Sequence, residues 1–332
     1  MTIINNSKTD PNKILPMTYL WAREYYLSGV ANNWTPQEIS MQKDVEQWKS
    51  QAVVNEQERL LIMRNLGFFS TAESLTANNI VLAVYRHVTN PECRQYLLRQ
   101  AFEEAIHTDT FIFCCDTLGL DPEEVYTMYN TIPSIKNKDD FVVDITKSIF
   151  DPNFSTIGID NIRLFLHDLI GYYVIMEGIF FYAGFAMMLA LKRQNKMVGV
   201  GEQFEYIMRD ESLHLAFGCD LINTIKTENP AVWTPEFEKE IIELIKKAVE
   251  LESQYAKDTC PKDLLGINAA QFVEYVQYIA DRRLERIGLK KVYDKENPFP
   301  WMSQATDLSK EKNFFETRVT EYRVAGALKW DV

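Results

Sequence analysis

The chain of 332 residues carries 47 acidic against 35 basic side chains, a formal charge of −12, which disfavours nucleic acid as a partner. Hydrophobic residues at 46% and charged residues at 25% fit a globular protein and exclude disorder over most of the length. Gly (13) and Pro (12) together make up about 8% of the chain, below the usual share of roughly 12%, which argues against a β-rich fold full of tight turns.

Taken in chain order, residues 1–17 are polar and lack an apolar stretch, so no secretory signal is expected. Thr35-Pro36-Gln37-Glu38 and Asp121-Pro122-Glu123-Glu124 each combine a capping residue, a proline at the first helical position and an early Glu, and both read as helix starts. Asn90-Pro91 and Thr234-Pro235 read as two more. Between these marks, helices are expected over about 55–87, 91–118, 122–131, 157–195, 198–226, 235–257 and 268–287. Several exceed the usual length, and long helices with short connections make a bundle. No repeated alternation of apolar and polar residues suggests a main sheet.

The run 169–191 is almost wholly apolar and carries one charge, Glu177. Its length would permit a membrane span. It is interrupted by Gly171, Gly178 and Gly184, flanked by Asp168 and Lys192, and has its carboxylate near the middle, where lipid would leave it unpaired. The central helix of a bundle, apolar all round, is the favoured reading, with no membrane contact expected. Glu177 must then be neutralised, paired or bound to metal. From about residue 307 the helical periodicity ends, leaving a helical domain over 1–306 and a tail, 307–332, with Phe314, Phe315, Tyr322 and Trp330 as docking candidates for a partner protein. The five cysteines are scattered and form no Cys-x-x-Cys, which points to a reducing cytoplasm rather than a disulfide framework or a zinc ribbon.

Two of the four histidines close a Glu-x-x-His motif, Glu104-Ala105-Ile106-His107 and Glu211-Ser212-Leu213-His214. Residues three apart share a helical face, so each motif offers a carboxylate and an imidazole to one point. Glu73 precedes the first motif, and Glu177 the second, each on its own expected helix. The pattern therefore occurs twice, and four helices supply four carboxylates and two imidazoles, the ligand set of a ferritin-like dimetal-carboxylate bundle. Four carboxylates balance two divalent ions, and without a thiolate iron and manganese are the natural occupants. His87 reads as a helix-end cation and His167 as a satisfied core or partner contact.

Phe69-Ser70-Thr71-Ala72-Glu73, Phe102-Glu103-Glu104-Ala105-Ile106-His107, Met176-Glu177-Gly178-Ile179-Phe180-Phe181 and Arg209-Asp210-Glu211-Ser212-Leu213-His214 together resemble the radical-generating small (β) subunit of class I ribonucleotide reductase. The resemblance runs from about Ile14 to the tail. It implies an all-α homodimer that works with a large catalytic (α) subunit, docked through the tail, to reduce ribonucleoside diphosphates to deoxyribonucleotides. It also implies Glu73, Glu104 and His107 as ligands on one metal side and Glu177, Glu211 and His214 on the other. A ferritin-like dimetal oxidase or oxygenase, or a metal store, is the alternative reading.

Tyrosyl-radical subclasses of that family have Tyr four residues after the first ligand His; here the position is Phe111. Phenylalanine has no hydroxyl to yield an electron and a proton, so the oxidising equivalent must reside elsewhere, most simply on the metals. This resembles class Ic, in which O2 converts Mn(II)/Fe(II) to Mn(IV)/Fe(III); Fe2 and Mn2 centres are the rivals. By resemblance again, Trp34 and Asp210 form a hydrogen-bonded path with His107 toward the surface, and Tyr322 relays the hole to the large subunit.

Overall fold

Helices carry the regular structure of the described residues, 1–7, 12–261 and 266–303 of the computed structural model; the one β pairing among them is an isolated antiparallel bridge between Ile4 and Val88. The elements in order are α1 (Leu20–Ala31), α2 (Gln42–Trp48), α3 (Glu56–Asn79), α4 (Pro91–Leu118), α5 (Pro133–Ile145), α6 (Ile159–Arg193), α7 (Val198–Glu228), α8 (Pro235–Thr259) and α9 (Ala269–Arg286), with short helical turns between them. Three proline-marked starts hold. The Asn90 side chain accepts from Cys93 N at 2.9 Å, Asp121 from Glu123 N at 2.9 Å, and Thr234 from Phe237 N at 3.3 Å.

Thr35-Pro36-Gln37-Glu38 behaves differently. Its capping box forms, with Thr35 N donating to Glu38 Oε1 at 3.1 Å, but it closes a single 3₁₀ turn, Pro36–Glu38, because Ile39 is already extended. The expected helix over 122–131 divides into two short pieces, Pro122–Tyr126 and Met128–Thr131. Helices α1, α2 and α5 lie outside the expected segments. The boundary at 306, the tail and Tyr322 lie outside the described residues.

The apolar run is the centre of the bundle. Every residue from 168 to 191 is buried, so although α6 is long and apolar enough to cross a membrane, its apolar run is enclosed by protein on all sides. Over Ile170–Phe180 it winds as a π-helix, the wider i→i−5 form that occurs at functional sites. Along one side α3 packs on α4, and along another the second half of α6 packs on α7. Two glycines set how closely these helices approach. A Cβ on Gly184 would stand 2.5 Å from Phe69 Cε2 on α3, and one on Gly218 would stand 2.0 Å from Tyr173 Cγ on α6.

His87 is not a helix-end cation. It is buried between the rings of Phe154 and Phe165, at centroid distances of 5.0 and 5.5 Å, and burial, helped by Arg86, lowers its pKa to about 4. His167 is partly buried, with Nδ1 3.2 Å from the Ile145 carbonyl oxygen.

A candidate dimetal centre

Four helices meet where the two Glu-x-x-His motifs face inward. Glu73 comes from α3, Glu104 and His107 from α4, Glu177 from the π-helical part of α6, and Glu211 and His214 from α7; all six have zero exposure. Their ligand atoms form two overlapping quartets, each within 4.8 Å: Glu73, Glu104, His107 and Glu211, then Glu104, Glu177, Glu211 and His214. Each quartet contains one of the triads expected from sequence, Glu73, Glu104 and His107 in one and Glu177, Glu211 and His214 in the other, and Glu104 and Glu211 fall in both. Both carboxylates stand between the two positions, Glu73 and His107 flank one, and Glu177 and His214 flank the other.

Both imidazoles turn the same nitrogen inward. His107 Nδ1 lies 3.1 Å from Glu211 and 3.4 Å from Glu73, and His214 Nδ1 lies 3.1 Å from Glu104 and 3.4 Å from Glu211. Each Nε2 points outward to a different acid: Asp210 at 3.4 Å from His107 and Glu103 at 2.8 Å from His214. A carboxylate on the far nitrogen fixes the tautomer and leaves the near nitrogen free as a metal ligand.

The electrostatics of the protein alone are unfavourable. Burial first, then the charge of Glu211, pushes the Glu73 and Glu177 carboxyls well above the usual range. Burial acts against charge on His107 and His214 too, but Glu73 beside the first and Glu211 beside the second raise both imidazoles. Glu104 is lowered because the charge of His214, with His107 also close by, overcomes burial. Glu73 Oε1, both oxygens of Glu104 and Glu211, Glu177 Oε2 and His214 Nδ1 have no hydrogen-bond partner. Buried polar atoms left unpaired are costly, and so many pointing at one spot is what a cation would satisfy. Oxygen-rich donors with two imidazoles and no thiol suit iron or manganese.

Trp34 is buried, and its Nε1 donates to Asp210 Oδ2 at 2.7 Å, the same oxygen that faces His107 Nε2. Arg209 donates to the other oxygen of Asp210 at 3.0 Å and to Asn32 O at 2.6 Å, so charge and hydrogen bonds keep Asp210 ionised despite burial. Phe111 lies in an apolar pocket with Phe69 and Phe204 at centroid distances of 5.9 and 5.8 Å.

Four site residues were not anticipated. Glu103 holds His214 and is itself gripped by Arg99 Nε at 2.9 Å. Gln100 Nε2 donates to Glu177 Oε1 at 3.0 Å, and Tyr173 OH donates to Gln100 Oε1 at 3.2 Å. One signal was available: an acid precedes the ligand Glu in both motifs, as Glu103-Glu104 and as Asp210-Glu211.

The chain matches the family described as "Ribonucleotide reductase, small chain" over residues 11–298. It is 59% identical to a ribonucleoside-diphosphate reductase subunit beta of Chlamydia pneumoniae, covering 99% of this chain and 94% of the relative. It is 33% identical to small chain 1 of the Saccharomyces cerevisiae enzyme, covering 97% of this chain and 76% of that one. The fold superposes on the ribonucleotide reductase R2 subunit from Clostridium botulinum with a TM-score of 0.84 at 28% identity, covering 92% and 94% of the two chains. The helical bundle, the buried acidic cluster and these matches agree that the chain belongs to the ribonucleotide reductase small-chain family.

Proposed function

We propose that this ribonucleotide reductase small chain holds its oxidising equivalent on a dinuclear Mn/Fe centre rather than on a tyrosine. It passes that equivalent to a large catalytic subunit that reduces ribonucleoside diphosphates. The observation that carries this reading is the pairing of a complete six-residue donor set with Phe111, held among Phe69 and Phe204 where a hydroxyl would have to stand. When bound, the metal pair supplies, with O2, a high-valent Mn(IV)/Fe(III) oxidant.

The protein groups have separable tasks in this reading. Glu104 and Glu211, which belong to both donor groups, would serve both ions, while Glu73 with His107 and Glu177 with His214 would each complete the set for one. Asp210 and Glu103 hold the imidazole protons on Nε2. The Phe69, Phe111, Phe204 cluster excludes water and offers no oxidisable hydroxyl. His107, Asp210 and Trp34 form a continuous contact chain leading away from the centre, and the tail, with Tyr322, docks on the large subunit and continues the transfer. The functional unit is a homodimer working in the cytoplasm, and the five buried cysteines, scattered and without a Cys-x-x-Cys, fit a reducing compartment.

Anaerobic loading of the full chain with Mn(II) and Fe(II), followed by O2 and EPR, tests the reading. The expected spectrum is that of a coupled mixed-metal centre with two ions per chain. A tyrosyl doublet would refute metal storage of the oxidant.

A further inference from the structure

Helix α5 carries a lysine with no exposure at all. Lys138 Nζ lies 2.6 Å from Glu252 Oε2 on α8, and 3.5 and 3.9 Å from the ring centroids of Phe68 and Tyr255. A buried ion pair is weak evidence for stability, because desolvation offsets its attraction. What the pair touches is more informative. Lys138 Nζ donates to the Phe180 carbonyl at 3.0 Å, and Glu252 Oε1 accepts from the Ala183 amide at 3.2 Å.

Both backbone groups lie where α6 leaves its π-helical winding, which spans Ile170–Phe180, and resumes as an α-helix from Tyr182. Passing from i→i−5 to i→i−4 bonding skips one carbonyl. The Phe185 amide bonds to the Phe181 oxygen four residues back, at 3.0 Å, so the carbonyl one position earlier, that of Phe180, needs another donor. Lys138 supplies it. Glu177 sits three residues before Phe180, inside the π-helical segment, and a slip of one residue there would turn it by about 100° around the helix axis, away from Gln100 and His214.

We propose that Lys138 and Glu252 are positioning residues for the metal centre: a buried ionic clamp on the π-to-α junction of α6 that fixes the register of Glu177. This rests on the reading of the six buried residues as ligands. Glu252 and Lys138 touch none of those ligands and act through the backbone alone.

The test is anaerobic Mn(II) binding to the full chain, followed by equilibrium dialysis and EPR, in wild type, in the double variant Lys138→Met/Glu252→Met and in Glu252→Gln. Wild type binds two ions and gives the signal of a coupled pair. Failure of wild type to bind two ions would sink the ligand reading, and the clamp with it. The double variant replaces the pair by apolar side chains of similar length and stays folded, with a lower melting temperature because the Phe180 carbonyl and the Ala183 amide lose their partners. It binds one ion as before and the second at least about tenfold more weakly, so isolated Mn(II) appears at loadings where wild type shows the pair. Glu252→Gln keeps the packing but only one acceptor oxygen, so its amide NH2 faces either the Ala183 N–H or the Lys138 ammonium; half of the clamp is broken, and the second ion binds more weakly than in wild type. The clamp is overturned if the double variant binds both ions with wild-type affinity, or loses both equally along with thermal stability. Should the double variant fail to fold, wild-type affinity for both ions in a folded Glu252→Gln overturns it instead.

Discussion

Glu103 stands just before the first Glu-x-x-His motif and His214 closes the second, yet the Glu103 carboxylate lies 2.8 Å from His214 Nε2, while Asp210, just before the second, lies 3.4 Å from His107 Nε2. The acid before each motif thus orients the other motif's imidazole. Glu103→Ala removes one arm of this exchange without touching a metal-facing atom. It is expected to lower affinity for the ion beside His214 by about 10- to 100-fold, read as one metal per chain in place of two after dialysis. Full loading of both positions would show that Glu103 is dispensable.

Trp34→Phe keeps an aromatic ring but loses the N–H that donates to Asp210. This variant, and Tyr322→Phe in the tail, are expected to assemble the oxidised metal centre normally by EPR while losing deoxyribonucleotide formation with the large subunit. Wild-type turnover in either would remove that residue from the transfer path.

Gly218 allows the ring of Tyr173 to lie against α7, and Tyr173 in turn orients Gln100 and through it Glu177. Gly218→Ala forces the ring out of place. Overpacking of this kind costs about 1–3 kcal/mol, seen as a lowered denaturation midpoint, and should weaken metal binding in the same variant. A variant as stable as wild type would show that the ring relaxes freely.

Metal removal should make stability pH-dependent in a defined sense. The folded-state pKa values of Glu73, Glu177, His107 and His214 are raised, so their contribution is present at low pH and is lost as pH climbs through the raised values. Glu104 and Asp210 are lowered and act in the opposite sense, but only around and below ordinary carboxylate pKa values near 4. The metal-free melting temperature is therefore expected to fall from about pH 5 to 8, and the metal-loaded one to stay level, with protons released on binding. A metal-free protein equally stable across that window would contradict the electrostatics described above.

His87 works the other way. Its pKa is lowered to about 4, so its neutral form stabilises the fold above the unfolded value of about 6.5 and that contribution is lost as pH falls toward 4. His87→Leu keeps the packing against Phe154 and Phe165 and should shift acid unfolding to lower pH, measured by circular dichroism; an unchanged midpoint would mean that other groups govern it.

The six donor residues and the helices that bear them were legible because their signals are local: three-residue spacing, proline-marked starts and one carboxylate in an apolar run. What escaped depends on neighbours. Helix α1 has no side-chain cap, and α5, although Pro133 opens it, follows an uncapped Ile132, so neither start pairs a capping side chain with its first turn. The π-helical winding of α6 leaves no trace in a stretch that is apolar on nearly every side, where one charged residue, Glu177, cannot by itself reveal a change of period. Glu103 and Glu104 are adjacent acids, and only packing decides which faces the centre. The sharing of Glu104 and Glu211 is likewise a matter of interhelical distance.

The crossed acids also constrain how the chain can be assembled. Glu103 and His214 are 111 positions apart, and His107 and Asp210 are 103 apart, so neither imidazole acquires its orienting partner until both halves of the bundle have been synthesised and have docked. The first Glu-x-x-His emerges from the ribosome well before the second. An ion captured at that stage would find only part of its site, whereas full-affinity loading reports that these distant contacts, the slowest kind to form, are already in place.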